Sequence, residues 1–289
     1  MDARQLEYFV AVADELNFTR AADRVFAAQS TVSAGIRTLE RELGASLFER
    51  DSQRVALTPI GVEMVAAARA TLESFERMRT LADPASGIRG PLRVGIFTNL
   101  TTIDLPGLMG EYHARHPLVD LQLGPSPAGS TGLVEDVRLG RVDVAFRGLP
   151  GPVGDLLSVP LMVSSYVAVL PEGHPLASTK RVSIVDLVAE RFVDARTGFG
   201  NRVTLDRALA ERGLSRTVTT EVSDLGEIPR FVAARLGVAA LPAITVQPAP
   251  GAVVRPLVER IDWELGAISR AHPGAAAAAL LELLRERFA

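Results

Sequence analysis

The chain has 289 residues, of which 47% are hydrophobic and 22% charged, with a formal net charge of −3. That length and apolar content suggest two or more domains, each with a real core. Because there is no cysteine, a disulfide framework, a thiolate nucleophile and a thiolate metal site are all excluded.

The N-terminal run MDARQLEYFVAVADEL reads as an amphipathic helix, and Asp2, Glu7, Asp14 and Glu15 within it do not fit a signal peptide. No apolar run approaches the roughly 18 residues of a membrane span. Even AHPGAAAAALLELL carries a proline and a glutamate. These features predict a cytoplasmic protein with no membrane partner.

Residues 17–61 are the most informative stretch. Thr19 is expected to cap a short helix whose apolar face holds Ala21, Ala22 and Val25, and Phe26 to Ala28 interrupt that face. A second helix is expected from Gln29 or Ser30, burying Val32, Ile36, Leu39 and Leu43 until Gly44 stops it. Two short helices joined by such a turn, here about 18–37, form the DNA-reading arrangement. The first turn of the second helix carries Gln29, Ser30, Thr31 and Ser33, able to reach base edges or phosphates. Arg37 and Arg41 follow one turn apart, and Arg50 and Arg54 flank a hairpin tip at Asp51-Ser52-Gln53. Thr19 and Arg20 complete the set of candidate DNA contacts. The same residues, taken as an isolated helix pair, also allow a capped core helix with solvated arginines.

Phe18-Thr19-Arg20-Ala21-Ala22, Gln29-Ser30-Thr31-Val32-Ser33, Ile36, Leu39-Glu40, Leu43-Gly44, Leu47-Phe48-Glu49-Arg50 and Leu57-Thr58-Pro59-Ile60-Gly61 together resemble the LysR-type transcriptional regulators. The resemblance extends over essentially the whole chain. Ser30 stands where the family often has proline, and Ala34-Gly35 where it often has a basic or amide side chain, so two potential DNA contacts are missing. Gly35 also costs the helix about 1 kcal/mol relative to alanine.

Residues 1–60, the expected winged helix-turn-helix domain, hold seven arginines against nine acids. The module is not a basic patch. Since non-specific affinity comes from neutralised phosphates, one copy should bind weakly and depend on a second.

Residues 59–82 read as one long helix with Pro59 near its start. Val65, Ala68, Leu72 and Phe75 repeat at steps of three and four, with Met64, Met78 and Ala82 on the shoulders. This coiled-coil-like stripe is expected to pair with a second copy, the alternative being that it packs on its own effector domain. The resemblance implies a dimerising linker helix, with residues 61–88 forming linker and hinge.

The remainder alternates strands, at 92–97, 119–124, 142–148, 165–171, 192–195, 218–223 and 238–242, with helices at 105–116, 133–140, 183–190, 201–212 and 226–236. This rhythm predicts α/β lobes. Lobe I is expected to comprise 89–163 plus 268–289, including the final helix 275–288, and lobe II 164–267. The fold class is thus α+β multidomain: a winged helix-turn-helix, a long linker helix, and a two-lobed α/β effector domain of the periplasmic-binding-protein type, the last implied by the resemblance.

A small ligand would bind between such lobes, where strand ends and helix N-termini meet. The candidates are Thr98, Asn99 and Thr101 after the first strand, Ser126, and Arg147 at the end of VDVAF, with Thr197, Phe199, Arg202 and Asp224 from the second lobe. Two arginines and several helix N-termini favour an anion, so a carboxylate-bearing effector is expected, aromatic if Phe199 faces it. The residues equally allow ordinary loop caps, with Arg147 or Arg202 paired to Asp224 or Asp194.

Enzyme readings fare poorly. Gly198-Phe199-Gly200-Asn201-Arg202-Val203 is half of a dinucleotide fingerprint, and His113 and His116 have no further histidine or cysteine nearby. No Ser/His/Asp constellation can be read, so no catalytic or metal residue and no cofactor is expected. The resemblance implies a homodimer, or dimer of dimers, on an interrupted inverted repeat of double-stranded DNA, with effector closure changing DNA bending and RNA polymerase recruitment. A solute-binding protein and an α/β enzyme with a regulatory domain are the competing classes.

Overall fold

The computed structural model describes residues 1–51, 54–82, 87–97 and 100–288, with the side chains at positions 50, 51, 54, 76, 77 and 79–82 outside the description. The chain divides into two units, Met1–Ile88 with Arg138–Arg141, and residues 89–137 with 142–289.

The first unit opens with α1 (Ala3–Glu15), started by a capping box in which Asp2 accepts from the Gln5 N–H and Gln5 Oε1 accepts from the Asp2 N–H, both at 2.8 Å. Helix α2 (Phe18–Arg24) is capped by Asn17, whose Oδ1 accepts from Thr19 N at 2.9 Å and Arg20 N at 3.0 Å. The expected cap at Thr19 is therefore wrong. Thr19 already lies in the helical turn, and the extended backbone of Asn17 brings its amide oxygen to the free N–H groups. Helix α3 (Gln29–Leu43) begins at Gln29 and ends at Gly44, which adopts φ 67°. Strands β1 (Phe48–Asp51) and β2 (Arg54–Leu57) form the wing, pairing Asp51 with Arg54. Glu40 Oε1 ties the wing to α3 by accepting from Leu47 N (2.9 Å) and Phe48 N (3.3 Å).

Helix α4 (Pro59–Ala82) forms as expected, but its stripe has a different job at its start. Val65 and Ala68 are buried in the same core as Phe9, Val12, Ala21, Ile36 and Phe48, and Leu72 packs partly against it. That corrects the assignment of Val65 and Ala68 to a dimer surface. A core built by three short helices gains from the apolar side chains that the first turns of α4 add to the same cluster. Phe75 and Met78 stay exposed.

The second unit contains β3 (Arg89–Ile96), α5 (Leu105–Arg115), β4 (Leu118–Pro125), α6 (Gly129–Arg138), β5 (Val144–Gly148) and the long β6 (Leu157–Pro171). It continues with α7 (Ile184–Leu187), β7 (Arg191–Ala195), α8 (Gly200–Ala210), β8 (Thr217–Val222), α9 (Ile228–Ala233), β9 (Ala239–Pro242), β10 (Ala252–Pro256), β11 (Asp262–Ser269) and α10 (Ala275–Phe288). The main sheet runs β10-β6-β11-β5-β3-β4, with β9 also on β6, while β7 and β8 pair in parallel apart from it.

Strand β6 crosses between the lobes. The first part of β6 pairs with β11, and Tyr166–Pro171 pair with β9 and β10. Leu265–Ser269 of β11 already pair with β5, so the return to lobe I comes earlier than residue 268. Sequence reasoning missed β10, β11 and the first part of β6. Pro160 and Gly266 face each other at a register shift, and a proline or glycine inside a strand pattern reads as a break. Helix α6 starts four residues before the expected 133, and the expected helix 183–190 shrinks to one turn.

Candidate functional site

The first candidate surface is the N-terminal half of α3. Gln29, Ser30, Thr31, Ala34 and Arg37 are exposed and Ser33 is half-buried. Residues 29, 30, 33, 34 and 37 follow helical spacing and share a face, opposite the buried Val32, Ile36 and Leu39. Helices α1 and α2 carry side-chain caps, whereas Ala28 gives α3 none. The first N–H groups of α3 therefore remain available to an incoming oxygen, with the positive end of the helix dipole behind them.

The arginines sort by their partners. Arg37 has no side-chain partner among the described residues. Arg20, expected to touch DNA, is instead held by Glu15, with Nε at 3.2 Å from Oε2 and Nη2 donating to the Glu15 carbonyl at 2.6 Å. Arg24 pairs with Asp14 at 2.9 Å, and Arg41 donates to Thr38 Oγ1 at 3.3 Å. Arg50 and Arg54 sit on the wing strands beside the tip, where Ser52 and Gln53 lie outside the described residues, as do the side chains of both arginines. Thr19 is exposed at the head of α2.

The second candidate site is the seam between the lobes. At its centre the first turn of α6 meets the segment leading into α8. Thr131 donates from N and Oγ1 to the Gly198 carbonyl at 3.3 and 3.0 Å, and Gly148 N donates to Ser130 Oγ at 3.0 Å. A β-carbon on Gly200 would lie 2.0 Å from the Gly148 carbonyl oxygen, so only glycine permits this approach. Like α3, α8 has no side-chain cap.

Buried polar atoms without partners among the described residues gather next to these contacts. They include Arg147 Nε on β5, Trp263 Nε1 on β11 and Asn201 Oδ1 in the first turn of α8. The position of a Gly148 β-carbon lies 2.7 Å from Trp263 Nε1, and the Trp263 ring meets Phe97 edge-on at 6.4 Å. Arg147 is 2% exposed and donates through Nη2 to the Gly151 carbonyl. Burial lowers its pKa, against the opposing pull of Glu264.

Several expected ligand residues have other work. Phe199 is buried among Val193, Leu225 and Ile228 in the lobe II core, which removes it as an exposed aromatic wall. Arg202 pairs with Glu221, lies 3.6 Å from Asp206 and donates to the Ala195 carbonyl at 3.0 Å. Asp224 Oδ1 accepts from Gly226 N at 2.8 Å, capping the turn at 225–227. Thr101 and Thr197 are exposed, and buried Ser126 donates to Asp136 Oδ2 at 3.3 Å. Thr98 and Asn99 lie outside the described residues.

One buried pair escaped sequence reasoning. Asp194 meets Arg216 at 2.5 Å and accepts from Asn201 Nδ2 at 3.0 Å, while the Arg216 guanidinium stacks over Phe192 at 4.7 Å. Burial raises the Asp194 pKa, opposed by Arg216. A carboxylate within the apolar strand FVDA was the signal, since it must find a cation or several donors there. Among the described residues no cluster of metal-ligating side chains is present, and no helix is long and apolar enough to cross a membrane.

Comparison with known proteins bears on both sites. Residues 3–62 match the family model described as bacterial regulatory helix-turn-helix protein, lysR family, and residues 85–289 match that of the LysR substrate binding domain. The regulator ShiR of Corynebacterium glutamicum is 35% identical over 242 residues, covering 83% of this chain and 82% of that protein. The hydrogen peroxide-inducible genes activator of Escherichia coli O6:H1 is 30% identical over 252 residues, covering 86% and 81%. A full-length OxyR variant of Pseudomonas aeruginosa superposes with a TM-score of 0.79 at 28% identity, covering 99% of this chain and 95% of that one.

Proposed function

The chain belongs to the LysR family of bacterial transcriptional regulators, and from that premise we propose that it binds an interrupted inverted repeat as a homodimer or dimer of dimers. The observation that carries this reading is the face of α3, where Gln29, Ser30, Ser33, Ala34 and Arg37 surround an uncapped helix start. Short polar side chains there reach base edges, while the free N–H groups and Arg37 take phosphates. With seven arginines against nine acids in residues 1–60, a single module holds too few cations for tight binding, so two copies share the duplex. The protein works in the cytoplasm, where its DNA is, and RNA polymerase is the partner whose recruitment it alters.

Pairing of copies uses the distal part of α4, since Val65 and Ala68 already serve the chain's own core. Leu72, Phe75 and Met78 remain partly or largely exposed there.

The control signal is a small anion held non-covalently at the seam. Support comes from Arg147, buried with an Nε that has no partner among the described residues, and from the uncapped start of α8 at Gly200. A relative is named for induction by hydrogen peroxide, but this chain has no cysteine and cannot form a sulfenic acid or disulfide. Selection of duplexes from a randomised pool, with and without peroxide, tests both points. Enriched sites should contain two inverted half-sites, and peroxide should leave their binding unchanged. Enrichment of a single half-site, or loss of binding on peroxide treatment, would contradict the proposal.

A further inference from the structure

Phe26 is held in a conformation that its side chain does nothing to justify within the chain. It follows α2 with φ 52°, in the left-handed region. Phe26 N donates to the Asp23 carbonyl at 3.2 Å and Ala27 N to the Ala22 carbonyl at 3.0 Å. These two bonds form a Schellman ending, whose left-handed position is usually glycine, sometimes asparagine. A phenylalanine there is strained, and it gains no burial in return, because Phe26 is 95% exposed. The other non-glycine residues in this conformation among the described residues, Leu16 and Arg235, are explained more easily. Leu16 is half covered, and Arg235 keeps a charge in water.

The position is informative. Phe26 lies in the turn of the helix-turn-helix, three residues before Gln29 opens α3. Three Cα steps span at most about 11 Å, so whatever duplex the start of α3 enters lies within reach of the ring. A phenyl group offers no hydrogen bond, and the apolar feature of the major groove is the C5-methyl of thymine.

Resting on the DNA-reading function proposed above, we propose that Phe26 is a specificity-determining residue that packs its ring against a thymine methyl at the edge of each half-site. The strained turn presents the ring outward, and the ring loses its water only on DNA.

The test uses the full-length protein, duplexes selected by it from a randomised pool, and the Phe26→Asn variant. Asparagine suits the left-handed backbone, so the fold should be kept and the melting temperature unchanged or raised; Phe26→Gly serves as a second variant. Both should bind the selected duplex about fivefold more weakly per half-site, the cost of leaving one well-packed apolar group in water. The salt dependence should not change, because the phenyl ring neutralises no phosphate. Replacing thymines by uracil one at a time should weaken the wild type at one position per half-site and leave Phe26→Asn indifferent there. Equal affinity of variant and wild type would overturn the proposal. So would weaker binding with no uracil-sensitive thymine, which would place the ring on a sugar, or a changed oligomeric mass with DNA affinity intact, which would place it against a second copy. Failure to enrich any duplex would overturn the DNA-reading function itself, and this inference with it.

Discussion

The ring of Tyr8 occupies the space that a β-carbon on Gly35 would need: its Cδ2 lies 2.7 Å from that position. Tyr8 is 7% exposed, and Arg4 holds it by an Nε bond to the phenol oxygen at 3.2 Å and by lying 5.3 Å from the ring centre. Helix α1 therefore presses directly on the backbone of α3. Gly35, which by propensity alone weakens α3, is the residue that lets α1 seat.

Gly35→Ala should consequently destabilise the protein although it adds about 1 kcal/mol of helix propensity. A buried ring with little room must shift, and such overpacking costs roughly 1–3 kcal/mol. Urea denaturation should show a net loss, and Tyr8→Ala should abolish the penalty of Gly35→Ala in a double-mutant cycle. Equal penalties in both backgrounds would show that the ring is not the obstacle.

The contribution of α4 to the first core sets a limit on truncation. A fragment ending at residue 60 lacks Val65 and Ala68, which are 5% and 2% exposed beside Phe9 and Val12. Removing even one such side chain typically costs a few kcal/mol, a large part of a small domain's stability. Circular dichroism on melting should show a poorly cooperative transition for residues 1–60 and a cooperative one for 1–82. Equal cooperativity would remove α4 from the core.

The helix-turn-helix was legible because its burial follows helical periodicity as far as Leu39: Val32, Ile36 and Leu39 are fully buried and Gly44 ends the helix where expected, whereas Leu43, expected on the same face, is exposed in the last turn. Family signatures sharpened this by fixing Glu40 and the wing. Partners were less legible than elements. Nothing in the residue type of Arg20 distinguishes it from Arg37, and only the return of Glu15 against α2 separates an engaged guanidinium from one with no partner among the described residues. Likewise Arg202 and Arg147 look alike as loop-proximal arginines, but β8 delivers Glu221 to the former alone. Strand β11 and the first part of β6 hid because Gly266 and Pro160 interrupt their patterns at the shared irregularity.

The two arginines at the seam should behave differently. Trp263 is the sole tryptophan and packs against Gly148, next to Arg147, so its emission should report occupancy. Titration with a panel of small carboxylates should identify a quencher or enhancer whose affinity falls roughly 10- to 100-fold in Arg147→Gln, the range expected when a charged hydrogen bond is removed. Arg202→Gln should bind within about twofold of wild type by the same scale, since Glu221 and Asp206 already hold that side chain. Loss of binding in Arg202→Gln with Arg147→Gln unaffected would reverse the assignment.

Glu259 links lobe II stability to acid. Its carboxylate accepts from Ile184 N and Ser183 Oγ, each at 2.7 Å, at the start of α7. Partial burial would raise its pKa, but the bonds from Ile184 and Ser183 outweigh it and hold the pKa below the ordinary value. A carboxyl depressed in the folded state stabilises above its unfolded pKa, about 4.3 for glutamate, and that contribution disappears as pH falls through the lower folded value. Melting temperatures of wild type and Glu259→Gln should differ near neutrality and converge in acid. A gap that widens on acidification would contradict the sign.

Genome-wide capture of DNA by the purified full-length protein, with Arg37→Ala in parallel at the same stated salt concentration, puts the α3 face to the test. Discrete sites carrying an interrupted inverted repeat are expected, bound less tightly by Arg37→Ala, with a salt slope smaller by about one for each phosphate that Arg37 neutralises. No enriched sites under any salt condition, or sites bound identically by Arg37→Ala, would contradict the assignment of the exposed face of α3 as the surface that meets DNA.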